Sequence, residues 1–442
     1  MERYDNYKDS GFDWIGEIPE HWNVKKLKYL AFANPSNIDK KSKKEEKEVF
    51  LCNYVDVYKN DFIHRGIKFM KATASDSQIE KFKLEKGDVI ATKDSETPDD
   101  IGVPALVTES FDNVVCGYHL THIKPAEIKG EFLYRFFQTQ YLKSFFEVSA
   151  NGVTRFGLGV DKINSAFIIE PPFKEQTAIA DYLDRKTAEI DELISQKEQL
   201  LKLYEEEKTA IINQAVTKGI TPDVKMKDSG IDWLGEIPEH WKVKKLKYVI
   251  SKAGSGVTPR GGASVYLTSG VPLLRSQNIH FDGLRLDDVA YISETTHNEM
   301  LNSKVFPGDV LLNITGASIG RCFYITDELG EANVNQHVCI VRPKDNLFSK
   351  YLYFTLRSYI GQEQINIEQT GSGREGLNFE ALKNFIVPKI DIKEQTEIVN
   401  YIETEITRIN TKAEKTKKLI DLLREYKQSL ISEVVTGKIK VI

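Results

Sequence analysis

The sequence predicts a mixed α/β (α+β) tandem duplication: two globular domains, each followed by a long helix, with the two helices packed as an antiparallel coiled coil of pseudo-two-fold symmetry. Three observations predict it. Residues 8–29, KDSGFDWIGEIPEHWNVKKLKY, return at 227–248 as KDSGIDWLGEIPEHWKVKKLKY with 19 of 22 positions identical. The same shift of 219 lays RFGL (155–158) on REGL (374–377) and KEQTAIADYL (174–183) on KEQTEIVNYI (393–402). Each unit closes on a long run of apolar residues spaced alternately by three and four.

The elements follow in order. Residues 1–172 form the first globular domain, 173–219 its long helix, 220–388 the second domain and 389–442 its helix. A solenoid needs three or more short repeats, so two units of about 219 residues are a duplicated domain. Within each domain, β-branched runs bounded by Gly, Asn and Pro, such as KVFPGDVLLNITGAS and NVNQHVCIVRP, predict short strands and turns. FLYRFFQTQYLKSFF (132–146) and YLYFTLRSYI (351–360) predict one amphipathic helix at the same place in each unit. Between residues 174 and 219 neither Pro nor Gly interrupts the pattern, which predicts a helix of roughly 65–70 Å at ~1.5 Å per residue. Its seam runs through Leu183, Ile190, Ile194, Leu201, Tyr204 and Ile211. The second helix repeats it through Ile402, Ile406, Ile409, Ile420, Leu423 and Leu430. Polar residues recur at matched seam positions, Lys197 with Thr416 and Lys208 with Lys427, as register-setting residues do in coiled coils.

Composition narrows the function. A chain of 442 residues is too long for one ordinary core, and 41% hydrophobic with 28% charged residues is the balance of a soluble protein. No apolar run reaches the ~18–20 residues of a membrane span, and the polar start MERYDNYKDS is no signal peptide. Cys52, Cys116, Cys322 and Cys339 lack CxxC spacing, so a cytoplasmic protein with reduced structural thiols is expected. The net charge of −5 argues against nonspecific coating of nucleic acid but leaves local basic faces open. No GxxxxGK[ST] loop occurs, and SGVTPRGG (255–262) and GSGREG (371–376) read as turns. Asn34-Pro35-Ser36-Asn37 lacks the aromatic residue of a methyltransferase NPP motif, and Pro98-Asp99 sits in a loop-like SETPDD. His64, His119, His297 and His337 have no metal-ligand spacing, and the match of His119 with His337 favours a shared structural role. All four tryptophans, Trp14, Trp22, Trp233 and Trp241, lie in the repeated phrase, which therefore reads as a docking segment for the helix region or a partner.

The whole chain resembles the specificity (S) subunit of type I restriction–modification systems. The resemblance rests on PPFKEQTAIADYLD (171–184), VPKIDIKEQTEIVNYIE (387–403), SGVTP (255–259), PGDVLLNITGASIGR (307–321), NVNQHVCIVRP (333–343) and GSGREGLN (371–378). The first unit departs from it, with NPSNID at 34–39 and TKDSETPDD at 92–100. The resemblance implies a non-catalytic reader of double-stranded DNA, each domain being a target-recognition domain for one half of a bipartite target. It implies two methyltransferase (M) subunits docked on the helices, restriction (R) subunits beyond them, and no membrane. No cofactor is expected on this chain; S-adenosylmethionine, ATP and Mg belong to the partner subunits.

DNA contact needs Arg, Lys, Asn, Gln, Ser and Thr on loops over a scaffold. The candidates are Lys93, Asp94, Ser95, Thr154 and Arg155 in the first unit. In the second they are Ser255, Thr258, Arg260, Arg275, Gln277, Asn278, Asn313, Thr315, Arg321 and Arg374. Arg155 and Arg374 stand out because both units keep an Arg in a Gly-rich loop, although a local structural role fits them equally. The competing readings are a coiled-coil scaffold whose duplicated domains bind proteins, and a self-contained restriction enzyme, which the missing motifs disfavour.

Overall fold

The structure, a computed structural model, describes residues 2–372 and 376–441. The chain divides into two compact units, Met1–Glu198 with Lys417–Ile442, and Gln199–Thr416. Each long helix therefore contributes to both units. The first helix spans Phe173–Lys218 and the second Ile392–Val435. Among the described residues no helix is long and apolar enough to cross a membrane.

The first unit is built on a five-stranded sheet in the order Ala31–Pro35, Leu120–Pro125, Val89–Thr92, Pro104–Val107, Phe62–Ile63. Its pairs are antiparallel except the last. A three-stranded sheet, Val114–Cys116, Lys47–Cys52, Met70–Ala74, carries a second apolar cluster including Val49, Leu51 and Val115. The second unit repeats the core of the first sheet as Ile250–Ser255, Val338–Pro343, Val310–Asn313, Cys322–Tyr324, all antiparallel. Runs such as VIAT and VLLN are buried throughout, as expected of strands covered on both faces. All four cysteines lie in these interiors as free thiols, and burial pushes those of Cys322 and Cys339 up to about 12.

The single amphipathic helix expected after the sheet is two helices in each unit, Gly130–Phe137 with Gln140–Ser149 and Ser349–Arg357 with Tyr359–Ser372. Hydroxyl capping causes the break. Thr139 Oγ1 donates to the carbonyl of Phe136 (2.7 Å) and accepts from the N–H of Leu142 (3.4 Å). Ser358 does the same between the carbonyl of Thr355 (2.7 Å) and the N–H of Ile360 (3.2 Å). Phe132, Leu133, Phe136 and Phe137 are buried against the sheet and the long helix, in one core with Leu183, Ile190 and Leu430.

The residues read from sequence as a seam are shielded to different degrees within their own units. Leu183, Ile190, Ile402, Ile409, Ile420 and Leu430 are buried, and Ile194, Leu201, Tyr204, Ile211, Ile406 and Leu423 are half-buried. In the first unit Asp191 pairs with Lys427 (2.7 Å) and Glu198 with Arg424 (2.9 Å), so the two helix segments run in opposite directions there. In the second unit Glu207 meets Arg408 (2.9 Å). Lys208 turns back to Glu205 of its own helix (2.7 Å), so its charge is satisfied locally.

The repeated phrase and the KEQ tripeptide fix each globular domain to its helix. The indole N–H of the fully buried Trp22 donates to Glu175 Oε2 (2.9 Å), and His21 meets Glu175 Oε1 (2.7 Å). Trp241 and His240 hold Glu394 in the same way, at 2.8 and 3.0 Å. The following glutamine secures the short helix: Gln176 Oε1 accepts from the N–H of Lys129 and Gln395 Oε1 from that of Phe348, each at 2.7 Å. Both glutamines are buried, and their amide N–H groups are spent on the carbonyls of Pro171 (2.7 Å) and Ile390 (3.0 Å). The phrase is thus a docking segment for the helix region.

Candidate nucleic-acid interface

In the first unit the fold gathers Lys93, Asp94, Ser95 and Arg155 around His119. Strand Val89–Thr92 leaves the sheet at Lys93, whose N–H donates to the His119 carbonyl (3.0 Å) and whose carbonyl accepts from Leu158 (2.8 Å). Asp94 and Ser95 then pair with Gly157 and Phe156 of the hairpin 151–157. This places Asp94 Oδ2 2.7 Å from His119 Nδ1 and Arg155 Nη2 3.1 Å from the same nitrogen. Lys93 Nζ lies 4.7 Å from the centre of the Tyr118 ring and donates to the Ser36 carbonyl (3.2 Å). Beside them Tyr54 stacks on Tyr58 at 5.6 Å. Burial raises the pKa of the Tyr54 hydroxyl, with the Ser95 hydroxyl and the Arg155 charge acting against it. Thr154 and Arg155 are exposed with Val153 at the hairpin tip.

The second unit builds the same backbone frame with other side chains. Ile314 N–H donates to the His337 carbonyl (3.0 Å), the Ile314 carbonyl accepts from Leu377 (2.8 Å), and Thr315 bridges to Gly376. Lys93, Asp94, His119, Gly157 and Leu158 therefore correspond in place to Ile314, Thr315, His337, Gly376 and Leu377. Thr315 Oγ1 lies 2.6 Å from His337 Nδ1, and Gln336 Nε2 lies 3.0 Å from His337 Nε2. Thr258 Oγ1 donates to Gln336 Oε1, which joins the SGVTP loop to the cluster. Ser255 is half-buried at the end of its strand, its hydroxyl on the Gly256 carbonyl (3.2 Å), and Arg260 is exposed further along the loop.

The other candidates lie elsewhere or face inward. Arg275, Gln277 and Asn278 converge on Asp288: Arg275 Nη2 donates to its carbonyl (2.8 Å) and Gln277 Nε2 to its carboxylate (2.7 Å). Asn278 is buried, its amide N–H groups on the Arg285 and Asp288 carbonyls at 2.8 and 3.3 Å, so it holds a turn and presents nothing to solvent. Asn313 is buried too, donating to the Ser276 carbonyl (2.8 Å) and to Ser318 Oγ (3.1 Å). Ser95 is also buried, beneath the hairpin strand it pairs with. Arg321 is half-buried in the turn before Cys322–Tyr324, where its carbonyl accepts from Asn313 (2.8 Å). Arg374 lies outside the described residues. Sequence reasoning missed Tyr118 and Gln336, the paired residues immediately before the matched histidines; their position beside His119 and His337 was the available signal.

The type I restriction modification DNA specificity domain family matches residues 19–203 and, a second time, 238–421. The chain is similar to the putative type I restriction enzyme MjaX specificity subunit of Methanocaldococcus jannaschii, 24% identical with 98% of each chain covered. It is also similar to the type I restriction enzyme EcoBI specificity subunit of Escherichia coli, 26% identical over 277 residues, which are 61% of this chain and a little over half, 57%, of that one. The HsdS subunit from Thermoanaerobacter tengcongensis shares the fold with a TM-score of 0.56 at 16% identity, covering 96% of this chain and 98% of that one. A chain from a type I R-M system, solved for complex assembly and conformational transition, aligns with a TM-score of 0.71 at 16% identity over 96% and 99% of the two chains. A duplicated α/β chain with a DNA specificity domain in each half is a DNA sequence-specificity subunit. The chain belongs to the family of type I restriction–modification specificity subunits.

Proposed function

We propose that this chain is the non-catalytic DNA reader of a type I restriction–modification complex, each globular domain reading one half of a bipartite duplex target. The observation that carries this reading is the shared frame around His119 and His337, which keeps its backbone hydrogen bonds while its outward side chains differ. A duplicated frame suits two half-sites presented by one duplex, and different side chains suit an asymmetric target. Lys93, Asp94, Thr154 and Arg155 form the contact surface of the first domain, and Thr258, Arg260, Thr315 and Gln336 that of the second. Arg374 belongs with the latter by its match to Arg155. Contact is local, because a chain of net charge −5 binds phosphate only through a basic face.

The domains are taken as 1–172 and 220–388, and the segments 173–219 and 389–442 as an antiparallel coiled coil that spaces them and docks two methyltransferase subunits. The reversed order of the Asp191–Lys427 and Glu198–Arg424 pairs supports that arrangement. S-adenosylmethionine then acts on the methyltransferase subunits and ATP with Mg on the restriction subunits, in the cytoplasm. Methylome sequencing of a host carrying this chain with its methyltransferase subunit is expected to return one bipartite sequence. Exchanging residues 30–166 for those of another family member is expected to change one half-site and leave the other. Methylation without sequence preference, or both halves changing together, overturns the reading.

A further inference from the structure

We propose that His119 reads a base edge in the first half-site with a hydrogen-bonding sense set by Asp94, and that Gln336 takes this role in the second unit. The inference rests on the function proposed above and adds the residues and the chemistry of the bases they accept. Two contacts compete for Nδ1 of His119, Asp94 Oδ2 at 2.7 Å and Arg155 Nη2 at 3.1 Å. The shorter decides. An ionised carboxylate has no hydrogen to give, so Nδ1 carries the hydrogen and donates to Asp94. In the neutral imidazole Nε2 is then a pure acceptor, and among the described residues it has no hydrogen-bond partner. The His119 side chain is 35% exposed, between the exposed Tyr118 ring and the exposed Arg155. An acceptor on such a surface meets the exocyclic amine of adenine or cytosine in the major groove and is repelled by the O6 and N7 of guanine.

The second unit cannot use its imidazole this way. Gln336 Nε2 lies 3.0 Å from His337 Nε2, and donation from the amide again leaves the hydrogen of His337 on Nδ1, toward Thr315 Oγ1 at 2.6 Å. Both ring nitrogens are occupied, so His337 is a buttress. The exposed Gln336, held by His337 on one side and by Thr258 on the other, keeps one N–H and one lone pair free. A free amide donor beside an acceptor is the pattern that pairs with N7 and N6 of adenine. The same frame therefore offers an acceptor in one unit and a donor–acceptor pair in the other.

The test is methylome sequencing of a host carrying the full chain with its methyltransferase subunit. The wild type is expected to require an A·T pair at one position of the second half-site and one fixed base pair in the first whose recognition depends on His119. His119→Ala is expected to relax the first position, lowering discrimination about tenfold or more, with the second half-site unchanged. Gln336→Ala is expected to do the reverse. His119→Asn, which can still donate or accept, guards against a variant that fails to fold. A wild type that methylates without a bipartite target sinks the reading on which the inference rests. A bipartite target read identically by wild type and variants sinks the inference alone, as does loss of methylation at every site in both His119 variants.

Discussion

Glu175 and Glu394 show how much one side chain can organise. Each carboxylate receives an indole N–H from a fully buried tryptophan and an imidazole from the preceding histidine. Glu175 has a third partner, the Tyr4 hydroxyl at 2.9 Å, whose pKa is raised by burial and by that hydrogen bond. Glu175→Ala leaves the Trp22 N–H buried without an acceptor, which costs about 1–3 kcal/mol. A thermal melt of the full chain is expected to show it, with Glu175→Gln losing less because one carbonyl acceptor remains. Glu394→Ala is expected to cost less than Glu175→Ala, since two partners depend on it. Their equality would mean that Tyr4 contributes nothing. The phrase was legible as a docking segment because its tryptophans and histidines repeat together. Its partner was not, because Glu175 lies 153 residues from Trp22 and reads in sequence only as a helix start. His119 was legible as a matched residue, but its contact with Asp94 exists only once a strand end and a hairpin are brought together.

At the scale of elements, the ends of the long helices are where the two units differ in tolerance. Both helices are followed by a glycine in the left-handed region, Gly219 and Gly437, each at φ +75. A Cβ at Gly437 falls 2.4 Å from Pro19 Cδ and 2.9 Å from the Trp22 ring. At Gly219 its nearest neighbour is the Trp241 ring, at 3.4 Å. Backbone strain alone costs about 1–3 kcal/mol at either site. Gly437→Ala adds a clash with a proline ring that has no rotamer to escape into, so it is expected to lower the melting midpoint more than Gly219→Ala. Equal shifts would show that the strain alone decides. The helices themselves were legible, because apolar residues at three-and-four spacing without Pro or Gly specify a long helix with one apolar stripe. The breaks at Thr139 and Ser358 were not: both short helices keep an apolar face across the break, and periodicity does not register a hydroxyl that caps one helix and starts the next.

For the whole molecule, the duplication separates what is shared from what is free to change. The phrase, at 19 of 22 positions, the KEQ tripeptide and the spacing of the apolar seam recur in both units, and the phrase and the tripeptide tie each globular domain to a helix. The side chains around His119 and His337 are among those that differ, which is why the architecture was legible from self-comparison and the individual contacts were not. If the helices act as the spacer proposed above, their length sets the separation of the two half-sites. Inserting seven residues at facing positions of both helices keeps the apolar seam in register, since the pattern repeats every seven. At ~1.5 Å per helical residue the insertion adds roughly 10 Å, and at ~3.4 Å per base step this corresponds to about three base pairs. Methylome sequencing of a host carrying the lengthened chain is expected to return the same two half-sites with a nonspecific gap about three base pairs longer. Half-sites that change while the gap stays constant would show that the helices position partner subunits without measuring the DNA.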